Sequence, residues 1–354
     1  MRKIYFLFPR MDLNVGGHLA QLKLFEITKH VCLAEAVTYE VQEAHTRFLD
    51  VVLEQDDTSE CIFLVHWGPH VIELLNRLDG KNVVYVSYST GYGFRIPAEV
   101  PIIAGSRHTQ AFWGTYAPNS PIYYLPCIIS ENFKNLHQNR NIDVLVQKRK
   151  SSRYLLEELV PELRRYTSVT VLDTWVDDLA KVLNQSKIYL YDSTEHWAQL
   201  GTSEGFGLPP LEALACGCTV FSSVNDALSD YLDPGFNCYK LRVYSRQYDV
   251  KRISKALQDW KDTGQDYDPA EEYREQNIEK RIRTILAQVN DFFDHKKSNK
   301  GDIGDTGRIP KEAEIQLLKA QIQQMENSRG WKLLERLRKL YARIFHSWQP
   351  SLKN

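Results

Sequence analysis

Residues 203–223, Ser-Glu-Gly-Phe-Gly-Leu-Pro-Pro-Leu-Glu-Ala-Leu-Ala-Cys-Gly-Cys-Thr-Val-Phe-Ser-Ser, leave few paths for the chain and read as loop, helix, strand. Gly205 and Gly207 allow close backbone approach, Pro209 and Pro210 suit a first helical turn, and Gly217 stops the helix before a buried strand at 219–222. Free amides and the positive dipole end of such a helix suit an anion, so a phosphate or diphosphate fits the 205–207 turn. Glu204 and Glu212 bracket that turn. At about 1.5 Å of rise per residue they lie at most roughly 12 Å apart, comparable to the distance from ribose to sugar in a nucleotide-sugar. One carboxylate can then hold ribose hydroxyls while the other faces a transferred sugar, with the diphosphate on the amides between.

This Glu-x7-Glu stretch, with Glu-Gly-Phe-Gly-Leu-Pro before the helix and Glu-Ala-Leu-Ala-Cys-Gly inside it, resembles the signature of retaining GT-B glycosyltransferases of the family-4, group-1 type. The resemblance spans roughly residues 1–295 and is strongest over 186–240. It implies an α/β GT-B fold: two Rossmann-like doubly wound domains facing a cleft, here with a helical C-terminal tail. It further implies retention by a front-face route in which the leaving phosphate accepts the acceptor's proton, with Glu204 on the sugar hydroxyls and Glu212 on the ribose.

A length of 354 residues argues for two domains. The expected units are an acceptor-side domain at 1–135, a nucleotide-sugar domain at 141–295 whose last helix crosses back, a flexible linker at 296–313 and a helical tail at 314–350. A composition of 43% hydrophobic and 25% charged residues is that of a globular protein, and a net charge of −1 gives no reason to expect nucleic acid. The six cysteines form no Cys-x-x-Cys pair and read as reduced and buried. Residues 4–8 are too short for a signal core, and no run reaches the ~20 apolar residues of a membrane span. The expected location is therefore the cytoplasm.

Strand-like runs at about 3–9, 37–41, 61–66, 82–88, 101–104 and 122–126 alternate with helical or loop segments, which argues for a largely parallel sheet with ligands at its strand ends. After the first strand, Gly16 and Gly17 open a helix where the family has a glycine loop near the diphosphate or acceptor, and His18 there either serves that site or is only a cap or surface residue. His66 and Tyr88 stand at two further strand ends. The family's strand usually ends in a histidine where this chain has Tyr88 or Ser89, so either His66 or Tyr88 supplies that contact or the site is altered, and His66 reads equally as a hydrogen-bonded core histidine. The second domain is expected to open with a strand at 142–147 and a turn, Lys148-Arg-Lys-Ser-Ser-Arg153, whose cations suit a diphosphate. By family spacing Lys148 or Arg149 acts with Arg153. Asp173 follows the next strand, where the family holds the nucleotide base; Phe206 and Leu208 complete the donor residues.

Residues 194–203 read as a long loop, of a kind that is often functional, in which His196 and Trp197 either shape the donor or acceptor site or are merely loop packing. No cofactor and no metal is expected, since the nucleoside diphosphate sugar is a substrate and the Asp266-Tyr-Asp268 triplet lies in a polar surface segment. The acceptor is a saccharide, lipid-linked or other glycan. In the tail, apolar residues at 315, 318, 322 and 325 precede an aromatic and basic stripe, Trp331 to Trp348 beside Arg329, Lys332, Arg336, Arg338, Lys339 and Arg343. Such a tail docks on an anionic membrane face, on its own globule, or on a partner helix for self-association. Two other readings stand: a non-catalytic nucleotide-sugar-binding scaffold, favoured by Tyr88 and by Gln147-Lys148 in place of Gly-Arg, and a sugar-nucleotide epimerase.

Overall fold

The computed structural model describes residues 1–12, 16–66, 68, 70–261, 268–298, 311–328, 331, 332 and 334. Its strands are β1 (Ile4–Phe8), β2 (Ala34–Thr38), β3 (Arg47–Phe48), β4 (Ile62–His66), β5 (Asn82–Ser87), β6 (Ile102–Ala104), β7 (Ile122–Tyr124), β8 (Ile142–Gln147), β9 (Val169–Leu172), β10 (Ser186–Tyr191), β11 (Thr219–Ser222) and β12 (Cys238–Lys240). The α-helices are α1 (Gly16–Thr28), α2 (Leu49–Gln55), α3 (Val71–Arg77), α4 (Arg107–Tyr116), α5 (Val160–Leu163), α6 (Leu179–Asn184), α7 (Thr194–Leu200), α8 (Leu208–Ala215), α9 (Arg246–Gln258), α10 (Glu275–Ser298) and α11 (Lys311–Asn327).

Two all-parallel sheets result, seven strands in the order β3-β2-β1-β4-β5-β6-β7 and five in the order β12-β11-β10-β8-β9. Each begins in the middle and winds outward both ways, so the strand order reverses beside β1 and β8. Sheets covered by helices on both faces need strands that are apolar throughout, which is why β1 and β4 are buried along their whole length. Pairing Ile4 with Ala34 on one side and Ile62 on the other brings the ends of β1 and β4 to the same edge. His66 therefore arrives there, with Tyr88 just beyond β5.

The differences from the sequence expectations are physical. β2 lies at 34–38 rather than 37–41, and the two-residue β3 is too short to have a pattern. Residues 194–200 form a helix, not a loop. After the basic turn the chain opens as a wide π turn at Tyr154–Leu159, because Pro161 has no N–H to donate to the preceding turn. Of the linker expected at 296–313, residues 296–298 close α10 and 311–313 open α11; residues 299–310 and those beyond 334 lie outside the described residues.

The chain passes between the sheets twice, and the passages touch. The Ile129 amide donates to the Tyr273 carbonyl at 3.0 Å, and the Arg274 guanidinium reaches the carbonyls of Ser130 (2.7 Å) and Phe133 (2.8 Å). Helix α10 then lays Ile278, Ile282, Ile285, Leu286, Val289 and Phe293 against the core of the first sheet. The spacing of three and four residues is that of one helical face. All six cysteines are free, and among the described residues no helix is long and apolar enough to cross a membrane. Asp268 bonds Arg274 at 2.7 Å, while Asp266 and Tyr267 lie outside the described residues.

Candidate active site

The turn before α8 is shaped by two glycines. Gly207 holds φ +79°, where a side chain would also meet Leu228, and a Cβ on Gly205 would stand 1.4 Å from the Tyr88 carbonyl oxygen of the first domain. Backbone thus meets backbone across the cleft. The contact continues as Ser89 Oγ donates to the Ser203 carbonyl (2.8 Å), while the Thr90 amide (3.1 Å) and hydroxyl (2.8 Å) donate to Ser203 Oγ. Nearby the Arg107 amide donates to Asp230 at 2.6 Å. Gly205→Ala cannot keep this closed seam: we expect it to cost about 1–3 kcal/mol, as overpacking does. The check is a thermal melt, and an unchanged midpoint would mean that the seam is open in solution.

Among the described residues, the amides of 205–208 donate to no other group, and Pro209 and Pro210 have none to donate. Four consecutive free N–H groups make an anion-binding nest. The side chains there do other work. Phe206 is buried against Tyr231 (5.7 Å) and Tyr273 (5.3 Å), and Leu208 packs on the same cluster, so only the backbone of these two expected donor residues faces a ligand.

Glu204 is 2% exposed. Its Oε2 accepts from the Tyr191 hydroxyl (2.6 Å) and the Trp197 indole N–H (2.8 Å), and its Oε1 from Lys150 Nζ (3.1 Å). Burial alone would raise its pKa. Lys150, Tyr191 and Trp197 outweigh that and hold the carboxyl below its ordinary value. Glu212, 9% exposed, is the opposite case. No hydrogen bond reaches its carboxylate among the described residues, and burial pushes it up to about 7 against opposition from Lys23 of α1.

The basic turn after β8 differs from expectation. Lys150, not Lys148 or Arg149, turns toward Glu204, because the backbone there bends through φ +66°. Lys148 and Arg149 are exposed, as is Asp173 after β9. The Arg153 side chain, also exposed, pairs with Glu157 at 3.2 Å, while its amide donates to Glu195. That Lys150, Tyr191 and Trp197 converge on Glu204 was not legible in sequence because they come from three separate elements; Ser193-Thr-Glu followed by Gly201 is the start-and-stop signal that would have found α7.

On the first-domain side, His18, Phe8, His66 and Tyr88 form one aromatic group, with centroids 5.1 Å for Phe8–His18, 5.3 Å for Phe8–His66 and 6.5 Å for His66–Tyr88. His66 is fully buried, and neither ring nitrogen has a hydrogen-bond partner among the described residues. Burial, with His18 adjacent, lowers its pKa to about 3, so it is a neutral imidazole. The Tyr88 hydroxyl donates to Gln21 Oε1 at 2.8 Å, and burial lifts its pKa well above the ordinary value. His18 is buried, not a surface residue, with Nε2 3.1 Å from the Met11 carbonyl. Gly16 and Gly17 open α1 at this edge, directly after residues outside the description.

Two parallel α/β units facing each other across a seam are the GT-B architecture. Residues 128–281 match the family model described as "Glycosyl transferases group 1", a span that is short of half the chain and contains Lys150, Glu204, the free amides and Glu212. The chain therefore carries a group-1 glycosyltransferase domain. No curated protein matches the chain by sequence. Among solved structures it is similar to a glycosyltransferase from Rickettsia africae (9% identity, TM-score 0.59, 81% of this chain and 98% of that one). It is also similar to Anabaena HepE in complex with UDP-glucose (13%, 0.57, 81% and 100%) and to a sucrose-phosphate synthase from Thermosynechococcus elongatus (13%, 0.52, 84% and 98%).

Proposed function

We propose that the chain transfers a hexose-like unit from a nucleoside diphosphate sugar to a saccharide, lipid-linked or other glycan acceptor with retention, as a step in polysaccharide or glycoconjugate assembly. The observation that carries this is the run of four free amides set between an ionised, buried Glu204 and an unpartnered, buried Glu212. The diphosphate lies on the amides of 205–208, Glu212 takes the ribose hydroxyls, and Glu204 meets the sugar. Lys150 supplies positive charge beside Glu204, while Lys148, Arg149 and Arg153 remain on the same turn for the outer phosphate oxygens, with Asp173 toward the base. Preorganised donors of this kind stabilise negative charge as it grows on a leaving group, which is why the reaction calls for no metal.

The first domain, with Gly16 and Gly17 at its edge, takes the acceptor. His66 is neutral and the Tyr88 hydroxyl is engaged, so each offers hydrogen bonding and not a base; the proton passes to the leaving phosphate. The complex of HepE with UDP-glucose supports a nucleotide-sugar donor. Exposed Leu318, Ile322 and Met325 on α11, followed by a basic and aromatic sequence, support attachment at the cytoplasmic face of a membrane, with self-association as the competing use of that helix.

A second reading, a non-catalytic nucleotide-sugar binder, is favoured by one observation: both oxygens of Glu204 are already engaged. Hydrolysis and transfer measured over UDP-, GDP-, ADP- and TDP-sugars, with and without chelator, separate the two. Chelator-resistant turnover of one donor is the expected result. Binding without turnover under every acceptor would establish the binder.

A further inference from the structure

A carboxylate has about four directions from which it accepts hydrogen bonds, two on each oxygen. On Glu204, Oε2 already receives two donors, the Tyr191 hydroxyl and the Trp197 indole. Oε1 receives Lys150 alone and keeps one direction open. Lys150 Nζ in turn stands 4.4 Å from the centroid of the Trp197 ring, within reach of a cation–π contact. A single indole therefore holds both charged members of the pair, the carboxylate through its N–H and the ammonium through its face. Lys150 is a non-glycine residue in the left-handed region, a conformation that costs roughly 1–2 kcal/mol and persists only where its surroundings enforce it. The contacts at the far end of its side chain do so.

Trp197 reaches this place on α7, which Gly201 stops in the left-handed conformation, and the Thr202 amide returns to the Trp197 carbonyl at 3.3 Å. The tryptophan is half-buried while Glu204 beneath it is closed off.

We propose that Trp197 is a positioning residue of the donor site: it fixes Glu204 so that Oε1 alone accepts a hydroxyl of the transferred sugar, and it keeps Lys150 beside that oxygen. The proposal rests on the reading of Glu204 as the sugar-facing carboxylate. A carboxylate with both oxygens free grips two neighbouring hydroxyls, whereas this one reads a single hydroxyl. A donor lacking that hydroxyl is therefore rejected, while its neighbour is tolerated at Glu204.

Trp197→Phe keeps an aromatic ring and removes the N–H together with the five-membered ring that carries it. With the donor that the wild type uses, kcat falls at least about tenfold, the loss of one hydrogen bond to a charged group, while KM changes little. The acid limb of the pH–rate profile moves to higher pH, because one of the groups that keep the carboxylate ionised is gone. Full activity, or an equal loss at every pH with the limb unmoved, would overturn the proposal.

A second measurement reads the same contact without turnover. Glu204 titrates below its ordinary 4.5 when folded, so its stabilising contribution is present above that value and is lost as pH falls through the folded pKa. Melts of the wild type and Trp197→Phe from about pH 3 to 8 should therefore show a deficit in the variant that is widest at neutral pH and closes in acid. A deficit constant with pH, or none, would sink the positioning role. If the wild type turns over no donor while the deficit closes in acid, the transferase reading fails and the Trp197–Glu204 contact stands.

Discussion

Glu204→Gln is expected to lower donor turnover by roughly 10²–10³-fold, the scale of losing one preorganised group that acts on the developing transition state. The amide has the same shape but no charge. It turns an NH₂ donor toward Lys150 or toward the Tyr191 and Trp197 donors, so whichever way it lies, like faces like. It also removes the negative charge that balances a lysine ammonium in a nearly closed site, which costs more there than at a surface. Kinetics on the preferred donor, with nucleotide diphosphate affinity measured alongside, checks this. The variant should still bind the nucleotide within a few-fold. A variant with wild-type turnover would remove Glu204 from the reaction.

Glu212→Gln should separate binding from stability, and in opposite directions. Burial lifts the Glu212 pKa from an ordinary 4.5 to about 7, so the folded state holds this proton more tightly than the unfolded chain does. The penalty is absent below the unfolded value, grows as pH rises toward 7, and is complete above it. At 1.36 kcal/mol per unit it reaches about 3 kcal/mol. Glutamine carries no charge to bury, so at pH 8 the variant should melt several degrees above the wild type, at roughly 2–4 °C per kcal/mol, and the gain should shrink sharply toward pH 5 and vanish below the unfolded value. Nucleotide affinity should meanwhile fall about 10–100-fold, because hydrogen bonds to a charged group are worth about 1.5–3 kcal/mol. Calorimetry of nucleoside diphosphate binding at both pH values, with melts, reads the two effects together. Equal affinity in variant and wild type would dismiss Glu212 as the ribose contact.

Much of this was legible before any coordinates. Gly205, Gly207, Pro209 and Gly217 encode a turn and a helix by backbone chemistry that needs no neighbours, and β1 and β4 are apolar on both faces up to His66 because parallel sheets are covered twice. His66 could be assigned to a strand end for the same local reason. What escaped was convergence. The bend that swings Lys150 inward occurs at a lysine, where no turn residue marks it, and Trp197 reaches Glu204 from a seven-residue helix too short to show an apolar period. The basic turn was recognised as a unit, yet which of its cations faces inward depends on a single φ angle. The pull of burial on Glu212 and its reversal at Glu204 are likewise tertiary: the two residues have the same chemistry, and only the donors around them differ.

The two passages of chain between the sheets, tied together by Ile129, Tyr273 and Arg274, lie side by side rather than at opposite ends. Two bodies joined along one line are free to swing about it but not to slide apart, much as covers turn on a spine. Gly205 against Tyr88 lies next to this spine, since its neighbour Phe206 packs on Tyr273 at 5.3 Å, and Arg107 on Asp230 is close by, the same Arg107 standing 4.0 Å from Glu272. Close approach of the covers is set there by a glycine, with no side chain to hold them open.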